Sequence, residues 1–271
     1  MIATILIAIF GLLIGSFLNV IIYRLPKKLS LLSPRSACGS CQTEIRSLDN
    51  IPIISWLLLY GKCRDCRTAI SMRYPLVEVV TALSFLSVAW KFPPSDHFSQ
   101  LSLLFAFLFL AGVSIALAFI DLDTQTLPNS LLLPSYGFGF LLFGLAGLSS
   151  GHFEAIIRSL LGALLLWLIY FVIAIAYPGG MGFGDVKLAG LLGLFLGNLG
   201  WNSLVVGAFA AFILGGIFSF MLLISGRAKR GSGIPFGPWM LAGAWVGIFF
   251  GNEITRGYLS LFGLTQTALT N

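Results

Sequence analysis

A chain of 271 residues that is 58% hydrophobic, only 10% charged and has a mean hydropathy of +0.97 excludes a soluble globular protein. Its formal net charge of +6 calls for no nucleic-acid partner, because basic loops beside an anionic membrane leaflet account for it. Roughly 17 to 25 apolar residues span a bilayer as helix. Eight such spans are predicted, over residues 2–23, 75–91, 101–120, 131–148, 158–177, 186–200, 203–225 and 236–252. Backbone groups in lipid must pair within each span, and no period-2 barrel pattern competes. The predicted fold is therefore an all-α polytopic membrane protein of about eight transmembrane helices, in contact with lipid along its length.

The first span has no basic n-region, and Gly15-Ser16-Phe17-Leu18-Asn19-Val20 continues it without a small-residue cleavage site, so it reads as a retained helix. Residues 24–74 then form the only sizeable hydrophilic segment. It carries all four cysteines, as Cys38-Gly39-Ser40-Cys41 and Cys63-Arg64-Asp65-Cys66, with twenty-one residues between the pairs. Two C-x2-C knuckles at this spacing predict a tetrahedral Zn(2+) site with Cys38, Cys41, Cys63 and Cys66 as ligands. Four thiolates leave no open position, so the metal is expected to be structural and to fold a small head. Disulfides are the competing reading. Nine of the sixteen Lys and Arg lie between Arg24 and Arg73, and Arg227, Lys229 and Arg230 cluster between the last two spans. The positive-inside rule puts both loops in the cytoplasm, where disulfides seldom persist, and both termini outside. His97 and His152 fall on the outer side and in no ligand motif.

Small residues recur at four-residue intervals, in Gly11 and Gly15, Gly193 and Gly197, Gly207 with Ala211 and Gly215, and Gly243, Gly247 and Gly251. These stripes predict close helix packing. No internal repeat of the transporter kind is visible.

The end of the third span reads Ile120-Asp121-Leu122-Asp123. Acids at a membrane border are costly and mark functional sites by default. Positions two apart lie about 200° apart around a helix, so only one can face a neighbour. Small residues Ala111, Ser114 and Ala118 precede Asp121 on its face, which selects Asp121 as the inward acid, and Leu127-Pro128-Asn129 turns the chain into the next span. A second acid, Asp185, follows Pro178-Gly179-Gly180-Met181-Gly182-Phe183-Gly184 and opens the sixth span, where it can cap the helix amides and be held ionised by the helix terminus. Gly182 and Gly184 let backbone approach an extended peptide closely. Two close carboxylates hold one proton between them, one acting as base towards water while the other polarises a scissile carbonyl. Asp121 and Asp185 are thus the candidate catalytic pair of an aspartic peptidase. No serine or cysteine nucleophile with a matching histidine is visible.

These elements together resemble the bacterial type IV prepilin leader peptidase and N-methyltransferase family, membrane aspartic peptidases with a Gly-x-Gly-Asp motif. The resemblance runs from Gly15 to Pro238 through Arg24-Leu25-Pro26, the two cysteine pairs, Ser55-Trp56-Leu57, Arg73-Tyr74-Pro75-Leu76-Val77-Glu78, Asp121 to Pro128, Gly182 to Leu188, and Ile234-Pro235-Phe236-Gly237-Pro238. It departs from the family in Gly39, often Pro, and Asn129, often Asp. The resemblance implies cleavage of basic leaders from prepilins and pseudopilins of type IV pilus and type II secretion systems, at the cytoplasmic face of the inner membrane. N-methylation of the new terminus with S-adenosylmethionine would follow. It implies catalytic roles for Asp121 and Asp185, a supporting one for Asp123, and a link between the head and methylation in which Gly61 aligns with a family glycine. Glu78, inside the second span, needs a partner; Arg73 or a head residue would supply an ion pair, and binding the methyl donor or substrate amine is the alternative. Lys187 either snorkels to the interface or holds an acidic substrate group near Asp185. The expected organisation is a first helix over 1–23, a head over 24–74, a seven-helix peptidase domain over 75–252 and a tail over 253–271. A peptidase without methyl transfer and a general intramembrane aspartic protease of the presenilin type are the alternatives within this chemistry. A zinc-headed channel would need more polar residues inside the spans.

Overall fold

In the computed structural model, residues 2–177, 180–226 and 235–262 are described. Among them the chain is helical, with no β-element beyond two isolated bridges, Ala37 with Glu44 and Lys62 with Ala69. Eight long helices occupy the eight predicted spans: α1 (Ile2–Arg24), α3 (Arg73–Lys91), α4 (Phe98–Thr124), α5 (Asn129–Ser150), α6 (Phe153–Ala176), α7 (Phe183–Leu199), α8 (Trp201–Ile224) and α9 (Gly237–Leu261). A short helix α2 (Ile54–Leu58) and a 3-10 turn over Ser47–Asn50 lie in the head. Helices α1, α4, α5, α6 and α8 are long and apolar enough to cross a membrane, which makes this a multi-pass membrane protein. Helix α9 runs past residue 252 to Leu261, so the first part of the expected tail continues the helix. Arg227, Lys229, Arg230, Ile234, Pro178 and Gly179, used in the sequence reading, lie outside the described residues, as does the end of the tail.

The chain divides into two compact units, Met1–Pro128 and Asn129–Asn271. In the first unit α4 packs against α1 and α3, and its Ala106, Phe107, Ala116, Leu117 and Ile120 are fully buried. The α1 and α3 backbones meet where the small-residue stripe predicts: a Cβ on Gly11 would lie 2.9 Å from Ala82 Cα, and one on Gly15 2.6 Å from Glu78 Cα. In the second unit α7 is the central helix, with Val186, Leu188, Leu191 and Phe195 fully buried, and it contacts α5, α6, α8 and α9. Gly162 of α6 interlocks with Gly193 and Gly197 of α7, and Gly243, Gly247 and Gly251 of α9 lie on Ala211, Gly207 and Ser203 of α8. Each unit thus has one buried apolar helix at its centre. Asp121 sits on one of them and Asp185 on the other.

Candidate active site and the cysteine head

Helix α4 does not break at its acids. It continues through Asp121 and Asp123 to Thr124 and stops at Gln125, whose left-handed backbone (φ 52°) lets its N–H cap the Asp121 carbonyl at 2.8 Å. The facing expected from the sequence is what forms: Asp121 is buried, 4% exposed, while Asp123 points outward. Asp123 is gripped by Arg73 from the start of α3, Nη1 and Nη2 donating to its two carboxylate oxygens at 2.9 and 2.7 Å. The same guanidinium lies 5.0 Å from the Phe119 ring centroid. A bidentate clamp of this kind fixes geometry as well as charge.

Arg73 is therefore not the partner of Glu78. Glu78 is buried in α3 and accepts a hydrogen bond from the backbone N–H of Ile53 in the head at 2.7 Å. The expected ion pair is replaced by an amide donor, made available because Ile53 is the centre of a tight γ-turn (φ 61°, ψ −51°) at the entrance to α2, closed by the Ile54 N–H on the Pro52 carbonyl. Asn19 of α1 adds a second tie, its amide donating to the Tyr74 carbonyl at 3.1 Å.

The head is built on two matching knuckles. In each, the first cysteine N–H bonds a carbonyl five residues on, Cys38 to Thr43 and Cys63 to Thr68. The residue after the second cysteine is left-handed in both, Gln42 at φ 58° and Arg67 at φ 59°. The repetition brings four Sγ atoms within 4.8 Å of one another, and Cys38 Sγ lies 3.7 Å from Cys66 Sγ. Zinc–thiolate bonds of about 2.3 Å in a tetrahedron require sulfurs about 3.8 Å apart, so the cluster fits a four-coordinate metal. No cysteine is disulfide-bonded. Hydrogen bonding with Thr68 brings the Cys66 thiol down to about 6, and the Cys41 and Ser40 amides lower that of Cys38, both towards the thiolate that a metal needs. At Cys63 the Cys66 and Asp65 amides are outweighed by burial and the neighbouring thiols, which shift its thiol up. Beside the knuckles Arg64 forks onto Asp49, Nε at 2.8 Å and Nη2 at 2.5 Å, and holds its carboxyl below the usual range.

Between the head and the α1–α3 pair lies a cavity of about 660 Å³. Asn19, Arg24, Asp49, Trp56, Tyr74 and Glu78 are among its walls. Gly61 is not. It stands behind the wall: its φ is +64°, and a Cβ there would come 2.8 Å from Cζ2 of Trp56, whose indole N–H bonds the Ile70 carbonyl at 3.2 Å.

In the second unit, α7 begins earlier than its apolar run suggests. Gly182 is the N-cap and Asp185 occupies the third helical position, its Oδ2 reaching back to accept the Gly182 N–H at 3.1 Å. Asp185 thus caps from inside the first turn rather than from the cap position, with Gly184 in the turn between. Lys187 is tethered within its own unit. Its Nζ donates to Asn129 Oδ1 at 2.9 Å and lies 5.4 Å from the Phe183 ring centroid, while the Tyr136 hydroxyl donates to the Lys187 carbonyl. These contacts tie the start of α5 to the first turn of α7. The Arg73 clamp and the Asn129–Lys187 bond escape sequence reading, because their partners stand 50 and 58 residues apart.

Residues 9–92 match the family model for the bacterial peptidase A24 N-terminal domain, and residues 108–220 match that of the type IV leader peptidase family. Curated relatives named prepilin leader peptidase/N-methyltransferase align over nearly the whole chain. That of Aeromonas salmonicida is 38% identical over 281 residues, covering 94% of this chain and 93% of its own. That of Pseudomonas aeruginosa is 36% identical, covering 93% and 92%, and that of Neisseria gonorrhoeae 36%, covering 92% and 90%. No solved structure matches. Two family models in order along one chain, and identity above one third across both of its units, place this protein in the type IV leader peptidase family.

Proposed function

We propose that this protein cleaves the basic leader from prepilins or pseudopilins and then methylates the new amino terminus. The observation that carries this reading is the full-length similarity to relatives named for both activities, which spans the head as well as the helices holding the acids. Asp121 and Asp185 are the proposed catalytic carboxylates. One, ionised, takes a proton from water as the water oxygen bonds to the scissile carbonyl carbon; the other, protonated, donates to the carbonyl oxygen. Collapse of the tetrahedral species breaks the C–N bond, and the proton taken from water goes to the leaving amine. The pair titrates as a unit. Asp123, neutralised by Arg73, serves to hold α3 on α4, and Lys187 and the flanking glycines Gly182 and Gly184 set the first turn of α7 around Asp185.

The four-cysteine cluster is proposed to hold Zn(2+) as a structural ion, with Cys38, Cys41, Cys63 and Cys66 as its ligands. S-adenosylmethionine, which supplies the methyl group, is proposed to bind in the head cavity. A volume of about 660 Å³ is within the range of small-molecule sites, and the walls offer aromatic faces in Trp56 and Tyr74 and a carboxylate in Glu78 for a cationic ligand. Gly61 supports that site through Trp56 rather than by touching the ligand. The division into a first helix, a head over 24–74, a peptidase domain over 75–252 and a tail is kept as the functional organisation, with eight crossings. The nine basic residues from Arg24 to Arg73 orient the head and both acids towards the cytoplasm, in the inner membrane.

Incubation of the purified protein with a prepilin and labelled S-adenosylmethionine, scoring leader release and methyl transfer separately, tests the reading. Both products are expected; leader release alone reduces the enzyme to a peptidase, and the absence of both products overturns the proposal.

A further inference from the structure

The proposed chemistry leaves one stretch of the head unexplained. Ile51-Pro52-Ile53-Ile54-Ser55-Trp56-Leu57-Leu58-Leu59-Tyr60 contains no charge, although the segment from Arg24 to Arg73 around it holds nine basic and three acidic residues. In the fold this stretch is inside out for a water-facing element. Its only hydroxylic serine is buried, Ser55 Oγ donating to the Leu48 carbonyl at 2.7 Å and accepting from the Ile51 N–H. Its apolar side chains face outward instead: Ile54, Leu57, Leu58 and Tyr60 are 54%, 58%, 73% and 86% exposed.

Depth decides what covers them. Ile53 is bonded to Glu78, which lies five residues into α3, about 8 Å along a helix axis. On the other side of the pair Glu78 meets Gly15, nine residues before Arg24 at the end of the apolar helix α1, about 13 Å. With α3 crossing beside α1 and their Arg73 and Arg24 ends cytoplasmic, as proposed above, the entrance to α2 is fixed well inside the ends of the two helices, at or beyond the depth of about 5–10 Å reached by interfacial segments. Much of the backbone of this stretch is paired within the protein, as lipid demands. The N–H groups of Ile51, Ile53, Leu57, Leu59 and Gly61 all donate within the protein, to Ser55 Oγ, Glu78, and the carbonyls of Ile53, Ser55 and Trp56.

We infer that residues 51–60 form a membrane-inserted element of the head, with Ile54, Leu57, Leu58 and Tyr60 seated in the anionic leaflet next to α3. Lys27 and Lys28 after α1 and Lys62 after Tyr60 flank it with the positive charge that such a leaflet attracts. The insertion shields the buried Glu78 carboxylate from lipid and holds Trp56, a wall of the head cavity, at the membrane border.

The test uses the full-length protein in vesicles of phosphatidylethanolamine and phosphatidylglycerol whose acyl chains carry bromine near the glycerol. A fluorescent amino acid is placed by codon suppression at Leu58, with Tyr60 as a second position and Glu44, whose side chain is 66% exposed in the first knuckle, as reference. Bromine is expected to quench positions 58 and 60 at least about twofold more than position 44, as for a side chain below the headgroups. Equal quenching at all three positions overturns the inference. So does cross-linking of a photoreactive residue at 58 to a second copy of the chain in place of lipid.

Discussion

Arg73 and Asp123 form a two-pronged ion pair across the start of α3 and the end of α4, with contacts of 2.9 and 2.7 Å. Two residues before Asp123, Asp121 is buried. Two acids separated by a single residue are thereby given different jobs: Asp123 is neutralised on the surface and fastens the helix, and Asp121 faces inward on a helix that the clamp keeps in place. The two side chains are 35% and 42% exposed, so the worth of the pair is that of a largely screened ion pair, at most about 1 kcal/mol.

Asp123→Asn should therefore keep leader cleavage within about tenfold of the parent protein, with a small loss of stability, because only a partly screened charge and one of the two acceptors of Arg73 are removed. A cleavage assay on a prepilin checks it. A loss of Asp123→Asn activity as complete as that of Asp121→Asn would place Asp123 in the chemistry.

Gly61→Ala should cost about 1–3 kcal/mol locally, since alanine must take a left-handed backbone and its methyl meets Trp56. The damage is expected at the cavity wall and not at the acids. Methyl transfer should fall at least about tenfold further than leader cleavage. Equal losses in both reactions would detach Gly61 from the methyl-donor site.

Zinc analysis of the purified chain should find one ion per molecule. Chelation or Cys63→Ser should open residues 38–70 to hydrogen exchange while leader cleavage persists, because the metal contributes folding energy to the head alone. Protons compete with the metal for the thiolates, so zinc should be retained at neutral pH and released on acidification. A metal-free protein with a folded head would contradict the four-thiolate assignment.

The Asp49–Arg64 fork gives the head an acid limb. Asp49 has its carboxyl lowered by Arg64, so the stabilisation is complete above the ordinary carboxylate value of about 3.9 and is lost as the pH falls towards the lowered one. Asp49→Asn should make the head exchange faster at pH 7, and the difference from the parent should shrink below about pH 4. A constant difference across that range would remove the ion pair as its cause.

Much of this was legible from residue order. Long apolar runs mark the helices because lipid leaves the backbone no alternative, the cysteine spacing marks the knuckles because their geometry is local, and the small residues before Asp121 reveal its face because a helix repeats. The helix starting at Phe183 was hidden by glycines that a sequence pattern reads as loop, although Asp185 caps it from within. Glu78 was harder still. Its partner is a backbone amide whose availability depends on the γ-turn at Ile53, and no side-chain pattern announces that. The uncharged run from Ile51 to Tyr60 was visible, but its place at the membrane border follows only from the Glu78 bond that fixes its depth.

The central claim is that one carboxylate from each unit, Asp121 and Asp185, cleaves the leader. Single Asp121→Asn and Asp185→Asn proteins, reconstituted in vesicles with a prepilin and checked for zinc and for membrane insertion, test it most directly. Each is predicted to lose leader release by at least about a thousandfold, while a pre-cleaved pilin is still methylated. Leader release by either variant within about tenfold of the parent would contradict it.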